Sequence, residues 1–238
     1  MEIFYVNLLY KCDKICYNKK MEDITNKAIE YVKEFFKKDF SGHDYYHTIR
    51  VYNLAKQICE VENGNPEIVA LSALLHDVDD CKIVGKQKEK FKNAKTFLRS
   101  QNYPEDKIER ICHIISQVSF KGKDTEKPDS VEGMIVQDAD RLDAIGAIGI
   151  GRTFAYGGSH KIPMHIPDLK YKENMTEEEY FSNIGTTINH FYEKLLKLKD
   201  LMNTETAKKI AQNRHDYMEK FLEEFYIEWD GKDGKRYS

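Results

Sequence analysis

The sequence has little cysteine, no long apolar run and almost no net charge, and each shortage removes a class of function. The five cysteines (Cys12, Cys16, Cys59, Cys81 and Cys112) are odd in number and scattered, with no CxxC pair. That excludes a disulfide frame or a zinc clip and fits reduced thiols in a cytoplasmic protein. No stretch approaches the roughly 20 apolar residues of a membrane helix, so no membrane partner is expected. Lys and Arg number 37 against 40 Asp and Glu, a net charge of -3. This lacks the basic excess of a dedicated nucleic-acid binder, and no stable nucleic-acid complex is expected. Internal repeats, convincing alternating strands and inter-domain linkers are all missing. What remains is 238 residues, 41% of them hydrophobic. That is enough for one sizeable domain with a real core.

Helical periodicity fills most of that length. Met1 to Lys20 fits the rest poorly, having a short apolar run but no basic start or small-residue cleavage site. It is not a signal peptide by pattern. Met21 reads as a natural domain start, so 1–20 is expected to be an extension, 21–230 the domain and 231–238 a flexible tail. From Glu22 to Phe40 the residues Ile24, Ala28, Val32, Phe35 and Phe36 predict an amphipathic helix. Asp44 is a plausible N-cap for the next one, with Val51, Leu54, Ala55 and Ile58 inward. His47 lies one turn before Val51 on that stripe, and Arg50 can reach the same site. Gln87–Ser100 and Pro104–Ser119 predict two further helices. Phe120–Asp129 is a charged loop holding Lys121 and Lys123. Phe154–Lys172 is too rich in Gly and Pro for a helix and is expected to be a lid or substrate wall. Thr176 with Glu179 makes a capping box ahead of a long helix through Ile184, Ile188, Phe191, Leu195 and Leu198. A last helix runs from about Thr204 to Trp229. The fold expected is one all-α domain.

Two stretches stand out chemically. Ala70-Leu-Ser-Ala-Leu-Leu-His76-Asp77-Val-Asp-Asp80 is an apolar, buried-type helix that runs into an imidazole and three acids. Burying His76 and Asp77 there is costly unless something pairs with them, and a divalent metal is one such partner. Val131–Thr153 places Asp138, Asp140 and Asp143 in an otherwise apolar, small-residue segment with four glycines. Acids in such a place need cations: Arg141 and Arg152 are near, and a metal is the other candidate. Periodicity does not say which acid faces the site. Asp138 shares a stripe with Val131, Met134, Ile135 and Leu142; Asp140 shares one with Val136 and Ala144.

An inward His, a His-Asp doublet ending a buried helix and an Asp on a late buried helix carry a resemblance. Ser41-Gly-His-Asp-Tyr-Tyr-His47-Thr-Ile-Arg-Val51, Leu74-Leu-His76-Asp77-Val-Asp-Asp80 and Gln137-Asp-Ala-Asp140-Arg-Leu-Asp-Ala-Ile-Gly-Ala147 together resemble the HD-domain metal-dependent phosphohydrolases. Within that superfamily the sequence is similar to the small stand-alone bacterial YedJ/YpgQ-like group, from about Met21 onward. The resemblance implies an all-α helical bundle and a metal site of His47, His76, Asp77 and Asp140, with Asp138 as the fallback. It implies that Asp80, four residues after His76, assists the attacking water. His113 is a candidate for a second metal.

Two imidazoles and two carboxylates leave open positions on an octahedral ion, suiting Mn2+, Mg2+, Fe2+, Co2+ or Ni2+ better than a closed zinc site. Arg50, Lys121, Lys123, Arg141 and Arg152 are candidate cations for a phosphate, and His43 a candidate hydrogen-bond donor. The reaction implied is hydrolysis of a nucleotide, first of all release of pyrophosphate from a nucleoside triphosphate. The alternatives are a nucleoside monophosphate phosphatase and a non-catalytic metal- and nucleotide-binding module. Monomer and homodimer are both compatible with the sequence.

Overall fold

The computed structural model describes residues 2–37, 44–85, 88–119, 125, 127–173, 175, 178–179 and 185–236, with backbone alone at 2–18, 81–82 and 235–236. Every regular element among them is helical. α1 (Glu2–Phe35) buries Ile24, Ala28 and Val32 at four-residue spacing, and Phe36 continues the stripe just past its end. The segment before Met21 is continuous in backbone with this helix. α2 (Tyr45–Glu62) opens on Asp44, whose carboxylate accepts from the His47 amide at 2.7 Å. Such a cap satisfies one of the orphan donors of the first turn. α3 (Pro66–Leu75) has Pro66 at its first position and Asn65 as its cap, and buries every residue from Glu67 onward. A helix apolar on all sides needs neighbours all round, and α1, α2, α6 (Glu105–Ser116) and α7 (Val131–Asp143) supply them. Between α3 and α6 lie the short α4 (Cys81–Val84) and α5 (Lys92–Ser100).

The 131–153 stretch divides in two. α7 ends at Asp143 and the chain turns, and α8 (Gly146–Ser159) starts at Gly146 with φ +77°, a conformation glycine takes without strain. The loop expected from Phe154 begins only after Ser159, because Tyr156-Gly-Gly-Ser159 is the last turn of α8. Gly157 packs against the Thr187 side chain, where a Cβ would collide. A glycine that reads as a helix breaker thus serves a close helix–helix contact.

The capping residue expected at Thr176, and Ile184 of the helix after it, lie outside the described residues. The remainder of that expected helix is shorter than its stripe suggested. α9 (Thr187–Glu193) is capped by Thr186, and the chain leaves helical geometry at Lys194 (φ −137°, ψ −60°). It continues as 3-10 turns over Leu195–Leu201. α10 (Glu205–Trp229) follows, capped by Thr204. Of the expected tail, Asp233–Arg236 forms a short 3-10 turn. α2 and α7 pack along one another, with α3 against both. These three helices carry the chemistry singled out in the sequence.

Candidate metal centre

His47 stands in the first turn of α2 and is buried to 1% exposure. His76 and Asp77 follow directly on the last residue of α3, and both are buried. Donor atoms of these three residues lie within 4.8 Å of one another. Asp140 of α7 closes the group. Its Oδ1 is 3.4 Å from His47 Nε2 and 3.8 Å from His76 Nε2. Asp77 Oδ2 lies 3.4 Å from His47 Nε2 and 3.3 Å from His76 Nε2. The two imidazoles face each other edge to face, with centroids 5.3 Å apart.

Which nitrogen each ring offers is fixed by what the other one does. His76 Nδ1 lies 2.8 Å from the Ala73 carbonyl, which requires it to carry the proton. His76 Nε2 is then a lone pair, and it is buried without a hydrogen bond. His47 Nδ1 lies 2.7 Å from Asp143 Oδ2, so its Nε2 is likewise turned to the carboxylates. Bonds of about 2.1 Å meeting at roughly right angles place neighbouring ligand atoms about 3.0 Å apart. The observed spacings of 3.3 to 3.8 Å are somewhat wider than that, so a small contraction of the cluster brings the four side chains onto an ion. The donor set fits a divalent ion.

The electrostatics say the same. Burial opposes a charge on His47, yet hydrogen bonds to Asp140, Asp143 and Asp77 outweigh it and hold the pKa up at about 10. Burial pushes the Asp140 carboxyl up, but His47 and His76 win and bring it down to about 2. Negative charge is concentrated here, and in the metal-free protein a proton on His47 answers it. A cation bound at Nε2 takes that proton's place.

Asp143 is the residue that sequence reasoning left without a role. It is buried, and besides His47 it accepts from Arg50 Nε at 2.7 Å, Arg50 Nη2 at 3.0 Å and Arg152 Nη1 at 2.7 Å. These partners outweigh burial and hold its carboxyl well below the usual range. It orients His47 and clamps two half-exposed arginines beside the site. The signal was present in the sequence: Asp140 and Asp143 are three apart on one helix, as His47 and Arg50 are on the facing one.

Other expected residues fare differently. Asp138 is fully buried and faces the C-terminal segment. It accepts from Asn203 N and Nδ2 at 2.9 Å each, and from Thr204 N and Oγ1 at 2.8 Å each. Arg141 gives Nη1 to the Leu201 carbonyl. Asp80 is half-buried in the turn after the doublet, its amide donating to the Asp77 carbonyl at 3.1 Å. Asp79 accepts from Asn93 N at 2.8 Å and Ala94 N at 2.9 Å, so it caps the start of α5. The structure does not bring His113 to the cluster: it pairs with Asp129 at 2.8 Å, both well exposed. His43, Lys121 and Lys123 lie outside the described residues. Among the described residues no helix is long and apolar enough to cross a membrane.

Comparison with known proteins places this geometry. A family model for the HD domain matches residues 44–145, which span all four residues of the cluster and Asp143. HD domains bind divalent metal ions. An HD-superfamily hydrolase of Bacillus thuringiensis is 43% identical, with a TM-score of 0.69 over 89% of this chain and 98% of that one. A crystal structure of Bacillus subtilis YpgQ in complex with ADP superposes with a TM-score of 0.68 at 32% identity, over 86% of this chain and 97% of that one. By sequence, YpgQ is 34% identical over 207 residues, covering 86% of this chain and 93% of its relative. Agreement over nearly the whole of both chains shows that this chain belongs to the HD-domain family.

Proposed function

We propose that the protein is a divalent-metal-dependent phosphohydrolase of nucleotides, with His47, His76, Asp77 and Asp140 holding the ion. Release of pyrophosphate from a nucleoside triphosphate is its first-choice reaction. One observation carries the reading: two buried imidazoles, each with Nδ1 committed elsewhere, turn their Nε2 atoms toward the same two carboxylates. Two imidazole nitrogens and two carboxylates converging in one buried space make a donor set suited to a divalent ion with open positions. The ADP held by YpgQ supports a nucleotide as ligand.

A divalent ion held by these four side chains supplies Lewis acidity toward a phosphoryl oxygen and makes water a usable nucleophile near neutral pH. The chain supplies the rest. Asp80, in the turn directly after the doublet, accepts the proton of the attacking water. The water oxygen bonds to the α-phosphorus as the bond to the bridging oxygen breaks, and the electron pair leaves with pyrophosphate. Arg50 and Arg152, held by Asp143, present charge to the phosphates without having to be ordered at the moment of reaction.

The test is a phosphate- and pyrophosphate-release screen over nucleoside mono- and triphosphates with Mn2+, Mg2+, Fe2+, Co2+ and Ni2+. Wild type is compared with Asp77→Ala and Asp80→Asn. The expected result is pyrophosphate from a triphosphate, lost in Asp77→Ala and strongly reduced in Asp80→Asn at unchanged metal content. Orthophosphate from monophosphates alone would turn the assignment to a phosphomonoesterase. Metal binding with no nucleotide cleaved under any condition would leave a binding module. Full metal binding in both His47→Ala and Asp140→Ala would remove the ligand set itself.

A further inference from the structure

The stretch after Ser159 is expected from the sequence to be a lid or substrate wall, yet the metal centre takes no residue from it. In the structure it is a fixed wall. The carbonyls of Pro163 and Met164 accept from the amides of Thr187 and Ile188 at 3.0 Å each. Those are first-turn donors of α9, which have no partner within their own helix. Asn189 Nδ2 donates to the Leu169 carbonyl at 3.1 Å, and Lys172 N donates to Glu193 Oε1 at 3.1 Å. His165 sets its ring edge to face against Tyr226 and Trp229 of α10, with centroids 5.5 and 5.0 Å apart.

Between this wall, α9 and the end of α10 lies a cavity of about 570 Å³, within the range of small-molecule sites. Rings make much of its lining: Tyr226, His165, and the pair Tyr171 and Tyr192, stacked with centroids 4.9 Å apart and planes 16° from parallel. Asn189 also lines it and is only 4% exposed. Its Nδ2 is spent on Leu169, which leaves Oδ1, unbonded among the described residues, as the acceptor offered to the cavity. The exposed Lys170 and Glu173 add one charge of each sign. An organic cation drawn to the tyrosine faces would be opposed by Lys170, whereas a flat neutral ring with an N–H donor suits both the platform and the acceptor.

The position sets this cavity apart from the metal centre. Arg214 of α10 donates to the carbonyl of Leu142, close to Asp140 on α7. Tyr226 lies about 18 Å further along the same unbroken helix.

We infer that this cavity is a second ligand site, which takes a nucleobase carrying an exocyclic amino group. The base stacks on the Tyr171–Tyr192 pair, and its amino group donates to Asn189 Oδ1. The inference uses no residue of the metal centre and stands whether or not the protein hydrolyses nucleotides.

The experiment titrates adenosine into the full chain and follows Trp229, the one tryptophan, whose ring meets His165 of the cavity wall. Calorimetry gives the stoichiometry. Saturable binding of one adenosine per chain is expected. Tyr171 is 42% exposed, so Tyr171→Ala leaves the fold intact; it should weaken binding about tenfold. N6,N6-dimethyladenosine keeps the ring but has no amino proton, and it should bind wild type about tenfold more weakly. This analogue replaces an Asn189 variant, which would also release Leu169 and loosen the wall. Removal of metal with a chelator, and Asp77→Ala, should each leave adenosine affinity within about twofold. No saturable binding of adenosine would overturn the inference, as would equal affinity for its dimethyl analogue or no effect of Tyr171→Ala. Loss of adenosine binding with the metal or in Asp77→Ala would place the base at the metal centre and remove the second site. Choline binding here in place of adenosine would make the cavity a cation site and overturn the nucleobase assignment.

Discussion

The two faces of α7 carry the same residue type to opposite ends. On one face Asp138 meets four donor groups of Asn203 and Thr204, which tie the C-terminal segment to the centre of the molecule. On the other face Asp140 meets the Nε2 atoms of two histidines whose Nδ1 atoms are committed to Asp143 and to the Ala73 carbonyl. Burial raises the Asp138 carboxyl despite its donors, while Asp140 is drawn down to about 2 against burial, by His47 first and then His76. A buried carboxylate surrounded by N–H and O–H groups is a structural bolt. One that shares its space with another acid and two imidazole nitrogens is kept ionised by positive charge, a proton on His47 in the metal-free protein and a metal ion when one is bound.

The comparison is broken most directly by substituting each acid in turn. Asp140→Ala should lower Mn2+ affinity by more than about a hundredfold, because even outer-shell partners of a metal typically cost 10–100-fold. Asp138→Ala should leave Mn2+ stoichiometry intact in the folded fraction and cost about 3 kcal/mol, since it strands Asn203 N and the N-cap Thr204 of α10. In thermal melts that is roughly 6–12 °C for a chain of this size. Equal effects of the two on metal binding would erase the distinction between the faces.

Asp143→Asn sharpens the picture on the metal side. It keeps the shape but frees His47 Nδ1 from its charged partner and releases Arg50 and Arg152. Calorimetry should show Mn2+ affinity reduced about 10–100-fold.

The third test is pH. His47 has an ordinary pKa near 6.5 and is held at about 10 in the metal-free protein. A raised pKa of this kind contributes stability that is fully present below about 6.5 and is lost as the pH rises toward 10. A bound ion needs His47 neutral, so it escapes that loss. The gap in Tm between Mn2+-loaded and metal-free protein should therefore widen from pH 6.5 to 9, whereas a constant gap would mean that His47 holds no proton for the metal to displace.

The smallest effect is expected at Asp79. Its replacement by Ala removes the carboxylate that receives Asn93 N and Ala94 N, a loss of about 1 kcal/mol. Metal affinity should not change.

Much of this was legible before any coordinates. The all-α class, the Asp44 cap that puts His47 in a first turn, and the all-buried α3 running into His76-Asp77 follow from stripes and caps. Such signals lie within a few residues of one another. What the stripes could not supply are relations across long distances in the chain. The choice between Asp138 and Asp140 depends on where Asn203 and Thr204 come to lie. The commitment of Arg50 depends on an acid 93 residues away. Gly157 reads as a breaker because its use, the approach of Thr187, is a property of another helix. The break at Lys194 was hidden by an apolar stripe that continues through it.

The two imidazoles also differ in when their orientation can be set. His76 is held by the carbonyl of Ala73, three residues back on its own helix, whereas His47 is held by an acid 96 residues further along. As the chain leaves the ribosome, His76 can take its working pose as soon as α3 forms. His47 has to wait until α7 has been made and has docked on α2. The site therefore matures in two stages, and a nascent chain ending before residue 143 lacks the group that orients its first histidine.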